Sequence, residues 1–178
     1  MPVKEIDALL LKLVSGVELF REIDVDSVSA LLRQATSISF VPGDLVFEEG
    51  AEGHAMYIVT QGAFEVFRTS AGKSVRIAKV GAGQHFGEIA LLANRARSAS
   101  VRALVPSVAI RLSKNAVLAE QKAAMQLFRN MAQMLAKCLI SLDEEVILHK
   151  TAAMAAAEAE AEEEDKAPAR SYTVVRRG

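Results

Sequence analysis

The stretch FGEIALLANRARSASV, Phe86 to Val101, decides how this chain is read. A glycine, an acid, a short apolar run and an arginine sit between two strand-like segments. Holding an anion takes a fixed positive charge, several N–H donors converging on one point, and glycine where the chain passes close to the ligand. All three are here. Gly83 and Gly87 permit the approach, EIALLA can form one helical turn whose free N–H groups favour an anion, and Arg97 offers a planar fork suited to phosphate. Ser98 adds a hydroxyl donor beside the arginine. Glu88 is discordant, because a carboxylate weakens a site meant only for phosphate. It fits a ligand that also carries hydroxyls, since carboxylates accept sugar O–H groups. Phosphate plus ribose points to a nucleotide.

Outward from this stretch the chain divides into three patterns. Residues 3 to 35 read as helix with a break near Ser15–Gly16 and a second start at DVDSVSALLRQA, where Val25, Val28, Leu31 and Leu32 follow a period near 3.6. From Thr36 to Ser113 the period becomes two, with short segments such as SISFV, LVFEEG, MYIVTQGAFEVFRT, VRIAKV and SVAIRL separated by Gly- and Pro-bearing turns. Seven or eight strands at this spacing imply an antiparallel β jelly-roll barrel. After Ser113 the helical period returns. From about 114 to 157 there is no Pro or Gly, and Phe128, Ala132, Leu135, Leu139, Leu142, Val146 and His149 alternate spacings of four and three. That is a coiled-coil-like seam. The expected fold is mainly β with flanking helices: N-terminal helices over 1–35, the barrel over 36–113, a long C-terminal helix over 114–155 and an acidic flexible tail over 156–178. A helix of roughly 40 residues is about 60 Å long, more than a barrel of this size covers. A homodimer through residues 128–149 is the simplest use of the remainder.

Composition narrows the function classes. The chain has 178 residues, 51% of them apolar, with seven Phe, two Tyr and no Trp, so the core must be built largely from Leu, Val, Ile, Ala and Met. The net charge is −1, and no basic stripe of the kind a nucleic-acid binder shows is present. The run EAEAEEED reads as a solvated face or tail. A single cysteine, Cys138, excludes a disulfide framework and fits a reducing compartment; on an apolar helix stretch it reads as a buried small hydrophobe. The start lacks a signal peptide's basic head and uninterrupted apolar run, and no segment reaches the roughly 20 apolar residues of a membrane helix. These features predict a cytoplasmic protein with no membrane or nucleic-acid partner. His54, His85 and His149 read as loop or helix-surface residues; no H-x-H pair suggests a metal, and no nucleophile–base constellation suggests an enzyme.

The pattern F-G-E-[IL]-A-L-x5-R-[ST]-A-[ST]-V resembles the phosphate-binding cassette of cyclic-nucleotide-binding domains, found in regulatory subunits of cyclic-AMP-dependent protein kinase, in cyclic-nucleotide-gated channels and in bacterial catabolite activator proteins. Phe86 to Leu91 and Arg97 to Val101 match it, with Arg97 nine residues after Glu88 as in the kinase and channel branches. Upstream, VFEEGAEGHAMYIVTQG looks like the family's paired strands, with Gly50, Gly53, Tyr57, Ile58 and Gly62 in place. The resemblance covers about residues 17 to 145. It implies cyclic AMP or cyclic GMP as ligand, with no other cofactor, bound by Gly87, Glu88, Ile89, Ala90, Arg97, Ser98 and Ala99. By resemblance Arg97 pairs with the cyclic phosphate, Glu88 takes the ribose 2′-hydroxyl, and Ser98 with the N–H groups of Ala90 and Ala99 completes the cradle. Gly87 allows close approach to the sugar. Ala96 departs from the pattern, standing where many members have proline. Too few residues follow the long helix for a winged helix-turn-helix. The expected function is a sensor module that relays ligand state through its C-terminal helix to an effector protein of unknown identity, the alternative being a ligand-free scaffold of the same fold.

Overall fold

The computed structural model describes residues 8–165 apart from Ala71 and Asn94. The helical reading of residues 3–7 and the end of the tail, 166–178, lie outside the described residues. The described residues fall into two compact units that part between Gln133 and Met134. The first holds eight strands: β1 Thr36–Phe40, β2 Leu45–Phe47, β3 Ala55–Gln61, β4 Ala63–Ser70, β5 Lys73–Gly81, β6 His85–Phe86, β7 Ser100–Ala103 and β8 Ser107–Ser113. Every pairing is antiparallel. The strands stack as two four-stranded sheets, β1-β8-β3-β6 and β2-β7-β4-β5. The expected jelly-roll strands are therefore present as two layers, without ladder pairing that closes them into one barrel.

Between the layers lies a core in which Tyr57, Val59, Phe64, Phe86, Val101 and Ala109 are buried. The few aromatics are concentrated there. The Tyr57 and Phe86 rings stack at 5.1 Å, and Phe64 meets Phe86 at 5.2 Å and the edge of Phe40 at 5.4 Å, geometries that add to plain area burial. Strand β3 departs from the alternation expected of a half-exposed strand: Met56 and Ile58 are as fully buried as Val59. The reason is tertiary, because α3 (Glu88–Ala93) and α1 (Ala8–Ser15) both contact β3, while α4 (Lys114–Ala119) follows directly from β8.

The helices follow local signals in part. Helix α1 stops before Gly16, a 3-10 turn spans Glu18–Phe20, and α2 runs Val25–Arg33. Asp24 caps α2 by accepting from the Ser27 N–H at 2.9 Å. That bond, with Lys122 alongside, lowers the Asp24 pKa to about 2. Val28, Leu31 and Leu32 form the buried stripe, whereas Val25 is 57% exposed and lies off it. Ser113 caps α4 through the Ala116 N–H. The single helix expected from residue 114 is broken at Glu120, and α5 then runs Gln121–Asp165, so that residues 156–165, expected in the flexible tail, are helical. No Pro or Gly announces that break; Glu120 accepts from Gln34 Nε2 at 3.0 Å.

Within the first unit α5 buries Ala123, Ala124, Leu127 and Met131. Asn130, 6% exposed, shares that stripe and donates to the carbonyls of Leu19 and Arg21 at 2.9 and 2.7 Å. In the second unit, Leu135, Leu139, Leu142 and Val146 are 42 to 62% exposed. Cys138 is exposed as well, not the buried hydrophobe its neighbours suggest, because the helix there is exposed all round within a single chain. Among the described residues no helix is long and apolar enough to cross a membrane.

The outer face of the second sheet carries charge. One row crosses all four strands, Leu45–Arg102–Glu65–Lys79. Glu65 is 4% exposed and accepts from Arg76 Nε at 2.6 Å and Arg102 Nε at 2.7 Å. Arg76, then Arg102, holds its carboxyl below the usual glutamate range against the opposing effect of burial.

Candidate functional site

The cassette begins where β6 ends. Gly83 turns the chain at φ 81° with open space around it, so its role is the left-handed turn, in which its N–H donates to the Val59 carbonyl, and not the close approach expected of it. Gly87 is different. It also adopts a left-handed φ, 82°, and a Cβ there would stand 2.7 Å from Arg97 Nη1 and 3.4 Å from the Phe47 ring. The following residues form the short helix α3, Glu88–Ala93, in which Leu91 is buried and Ile89 is 40% exposed. Ala90 lies within α3.

Arg97 returns to this turn from the far end of the cassette. Its backbone is clamped by the β2–β3 loop: the Arg97 N–H donates to the Ala51 carbonyl at 2.8 Å, and Gly50 N–H to the Arg97 carbonyl at 2.9 Å. Ser100 Oγ ties the same loop by accepting from Glu49 N–H. The side chain then runs inward, 6% exposed, with Nη1 donating to the Gly87 carbonyl at 2.9 Å and the guanidinium carbon 3.9 Å above the centre of the Phe47 ring. A cation over a ring in such a desolvated place contributes about 0.5–2 kcal/mol. Among the described residues no carboxylate lies within ion-pair distance of this guanidinium, and its buried Nε–H has no acceptor. Burial pushes the Arg97 pKa below the usual arginine value and Arg111 adds to this, while Tyr57 and Glu88 act in the opposite direction. An arginine stays charged in any protein.

These parts line a cleft of about 220 Å³. Gly87, Glu88, Ile89, Arg97, Ser98 and Ala99 all line it, so six of the seven residues singled out in the sequence are brought to one cleft. The apolar part of the lining was not anticipated beyond Val101, the last residue of the matched pattern: Phe47, Val66, Ala78 and Val80 join it there. Part of it was accessible to strand periodicity, since Val66, Ala78 and Val80 are inward positions of β4 and β5. Phe47 was not. The ladder of β2 slips between Leu45 and Phe47, which turns Phe47 inward although Leu45 faces out. His85 is on strand β6 opposite Ile58 and lines the cleft, not in a loop as its neighbours suggested. Burial lowers its pKa, with Glu88 and Glu18 opposing. Among the described residues no three His, Cys, Asp or Glu side chains gather as a metal site requires. The cleft therefore offers an apolar wall, a carboxylate, a hydroxyl and one buried cation with a free donor.

Residues 37–122 match the family model of the cyclic nucleotide-binding domain. This segment belongs to that family. The chain is also similar to known proteins. The chain is 40% identical over 85 residues to cyclic nucleotide-gated channel beta-3 of Canis lupus familiaris, covering 48% of this chain and 11% of the channel. It is 30% identical over 134 residues to glutaminase 2 of Bradyrhizobium diazoefficiens, covering 73% of this chain and 21% of the glutaminase. The chain thus spans a small part of the curated relatives it matches. Among solved structures, the catabolite activator protein of Thermus thermophilus superposes with a TM-score of 0.68 at 30% identity, over 75% of this chain and 63% of that one. The N-terminal domain of a Streptomyces coelicolor transcriptional regulator gives 0.66 at 26% identity, over 73% and 94%. The two sheets, flanking helices and long C-terminal helix are those of the cyclic nucleotide-binding fold.

Proposed function

We propose that this domain binds cyclic AMP or cyclic GMP in the cleft at Arg97 and acts as a cytoplasmic regulatory module with no catalysis of its own. One observation carries the reading: a buried guanidinium with no acid partner among the described residues and an unused Nε–H, lining a cleft that also holds a carboxylate and a hydroxyl. Burying a cation without a counter-charge is costly, and an anion arriving there relieves the cost. The cyclic phosphate takes Arg97, Ser98 and the N–H groups of Ala90 and Ala99; Glu88 accepts the ribose 2′-hydroxyl. At about 220 Å³ the cleft is smaller than the roughly 300–1,000 Å³ that encloses a drug-sized ligand. It suits the sugar-phosphate and leaves the purine at the mouth beside Ile89 and the apolar wall.

The same proposal extends to output. Ligand binding shifts the helix that follows the β-sheets between two positions through its differential affinity for them, and an effector protein reads the change. Hydrogen exchange with and without cyclic AMP provides the test: protection is expected to change over residues 81–101 and again in the helix beyond residue 130. A change confined to 81–101 means that the domain holds nucleotide without transmitting its presence, and no change in either region leaves a scaffold.

The exposed seam of Leu135, Leu139, Leu142 and Val146 supports a homodimer through residues 128–149, since burying such a row in a two-stranded seam removes apolar surface that one chain leaves in water. Replacing Leu139 and Leu142 by glutamate is expected to halve the mass measured by light scattering. A wild-type protein already monomeric at micromolar concentration removes the dimer and leaves nucleotide binding untouched.

A further inference from the structure

We infer that the outer face of the β2-β7-β4-β5 sheet is a docking surface for an acidic protein segment with interleaved apolar residues. The face lies on the side of the sheet opposite the nucleotide cleft, because Glu65 and Arg102 point outward from strands whose neighbouring residues Phe64, Val66, Val101 and Ala103 point into the core.

Its centre is a buried carboxylate between two arginines. Glu65 needs one cation to offset its burial, and it has two bound and a third opposite it: Arg76 and Arg102 hold its two oxygens, and Lys79 occupies the paired position on β5. Three cations against one acid leave an excess of two positive charges. The bonds to Glu65 also fix the arginines. Arg76 uses Nε, Arg102 uses Nε and Nη2 and lies 4.5 Å over the Phe67 ring, yet their side chains stay 57% and 40% exposed. A guanidinium has five donors. The unused ones face solvent from side chains whose rotamers are already set, so little conformational entropy remains to be lost when a carboxylate binds them.

The rim decides the class of partner. Leu45 ends the charged row at 44% exposure, and Ile77, displaced from the ladder by the irregularity between Val66 and Phe67, is 55% exposed at the opposite edge on β5. Exposed arginine with an aromatic ring and aliphatic neighbours is the composition of a protein interface. A nucleic-acid footprint rests on about 6–10 phosphate contacts, more than three cations around an acid supply. Charge complementarity thus selects an acidic peptide over a phosphate backbone.

The test uses the whole chain and a fluorescein-labelled synthetic peptide in which glutamate and leucine alternate, followed by anisotropy. Saturable binding that weakens as salt rises is expected, and Lys79→Glu is expected to weaken it at least tenfold while leaving cyclic-nucleotide affinity unchanged, with some fall in melting temperature because the new carboxylate stands opposite Glu65. Arg76→Lys keeps the charge but loses the fork, and a several-fold loss is expected from it. The inference is overturned by an absence of saturable binding, by equal binding in Lys79→Glu, or by a single-stranded oligonucleotide that displaces the peptide at equal concentration. It is overturned too if truncation after residue 157 tightens peptide binding more than tenfold, since the chain's own acidic run is then the occupant.

Discussion

Replacing Arg97 by alanine is expected to abolish measurable cyclic-nucleotide binding while the apo protein still folds. Charge-assisted hydrogen bonds contribute about 1.5–3 kcal/mol each, and the fork makes two of them to a phosphate. The combined loss corresponds to roughly a 10²- to 10⁴-fold weaker complex at about 1.4 kcal/mol per tenfold. The apo state responds differently. There Arg97 contributes one bond to Gly87 and its contact with Phe47, set against a desolvated charge whose Nε–H has no acceptor. Removing it loses and relieves comparable amounts, so the apo melting temperature is expected to move by only a few degrees. The rise in melting temperature that cyclic AMP or cyclic GMP causes in the wild type is expected to vanish. Arg97→Lys keeps the charge without the planar fork and falls between the two. Wild-type affinity in the alanine variant, measured by calorimetry, sinks the assignment of the cleft.

Gly62→Ala is expected to cause the largest loss of stability from a single methyl group in this protein. Gly62 joins β3 to β4 at φ 82°, and a Cβ there would meet the Pro106 carbonyl oxygen at 2.6 Å, the Ser107 Cα at 2.7 Å and the Ser107 hydroxyl. Two of these are backbone atoms that cannot swing aside. Ser107 is 3% exposed and holds the two turns together by accepting from Ala63 N–H and donating to the Val105 carbonyl. A left-handed conformation costs a non-glycine residue about 1–2 kcal/mol, and overpacking adds about 1–3 kcal/mol. Together they reach about 2–5 kcal/mol, a large part of the 5–15 kcal/mol typical of a whole domain. A fall of roughly 10–20 °C in melting temperature follows for a unit of this size. Gly43→Ala is the control. Gly43 has a similar φ, 93°, but open space around it, so only the conformational part is lost there. If the two variants melt alike, steric contact between the turns is not what Gly62 secures.

The residues that make the candidate site were legible in the sequence because their types are demanded by chemistry within one short segment. A guanidinium fork, a glycine at a tight turn and a carboxylate for hydroxyls stand within about a dozen residues, and each of them lines the cleft. Strand count, antiparallel pairing and the buried Val28–Leu31–Leu32 stripe of α2 were equally local, being set by periodicity and turn residues. The single helix expected after Ser113 failed for the opposite reason. Its break at Glu120 carries no glycine or proline, and the side chain there bonds to Gln34, 86 positions earlier in the chain.

What only the tertiary structure decided are the contacts between segments far apart in the chain. The ring beneath Arg97 belongs to Phe47, 50 positions away and turned inward by a slip in the β2 ladder. The backbone clamp on Arg97 comes from Gly50 and Ala51, and the partners of Glu65 come from two different strands. A one-residue change of register reverses which face a side chain meets, and register is settled by the packing of both sheets together. By itself, then, the sequence determined which chemistry this chain presents and roughly where. The tertiary structure decided that Arg97 is buried with an unused donor and that Glu65 holds two arginines outward, because burial and pairing are properties of the assembled layers and of no single segment.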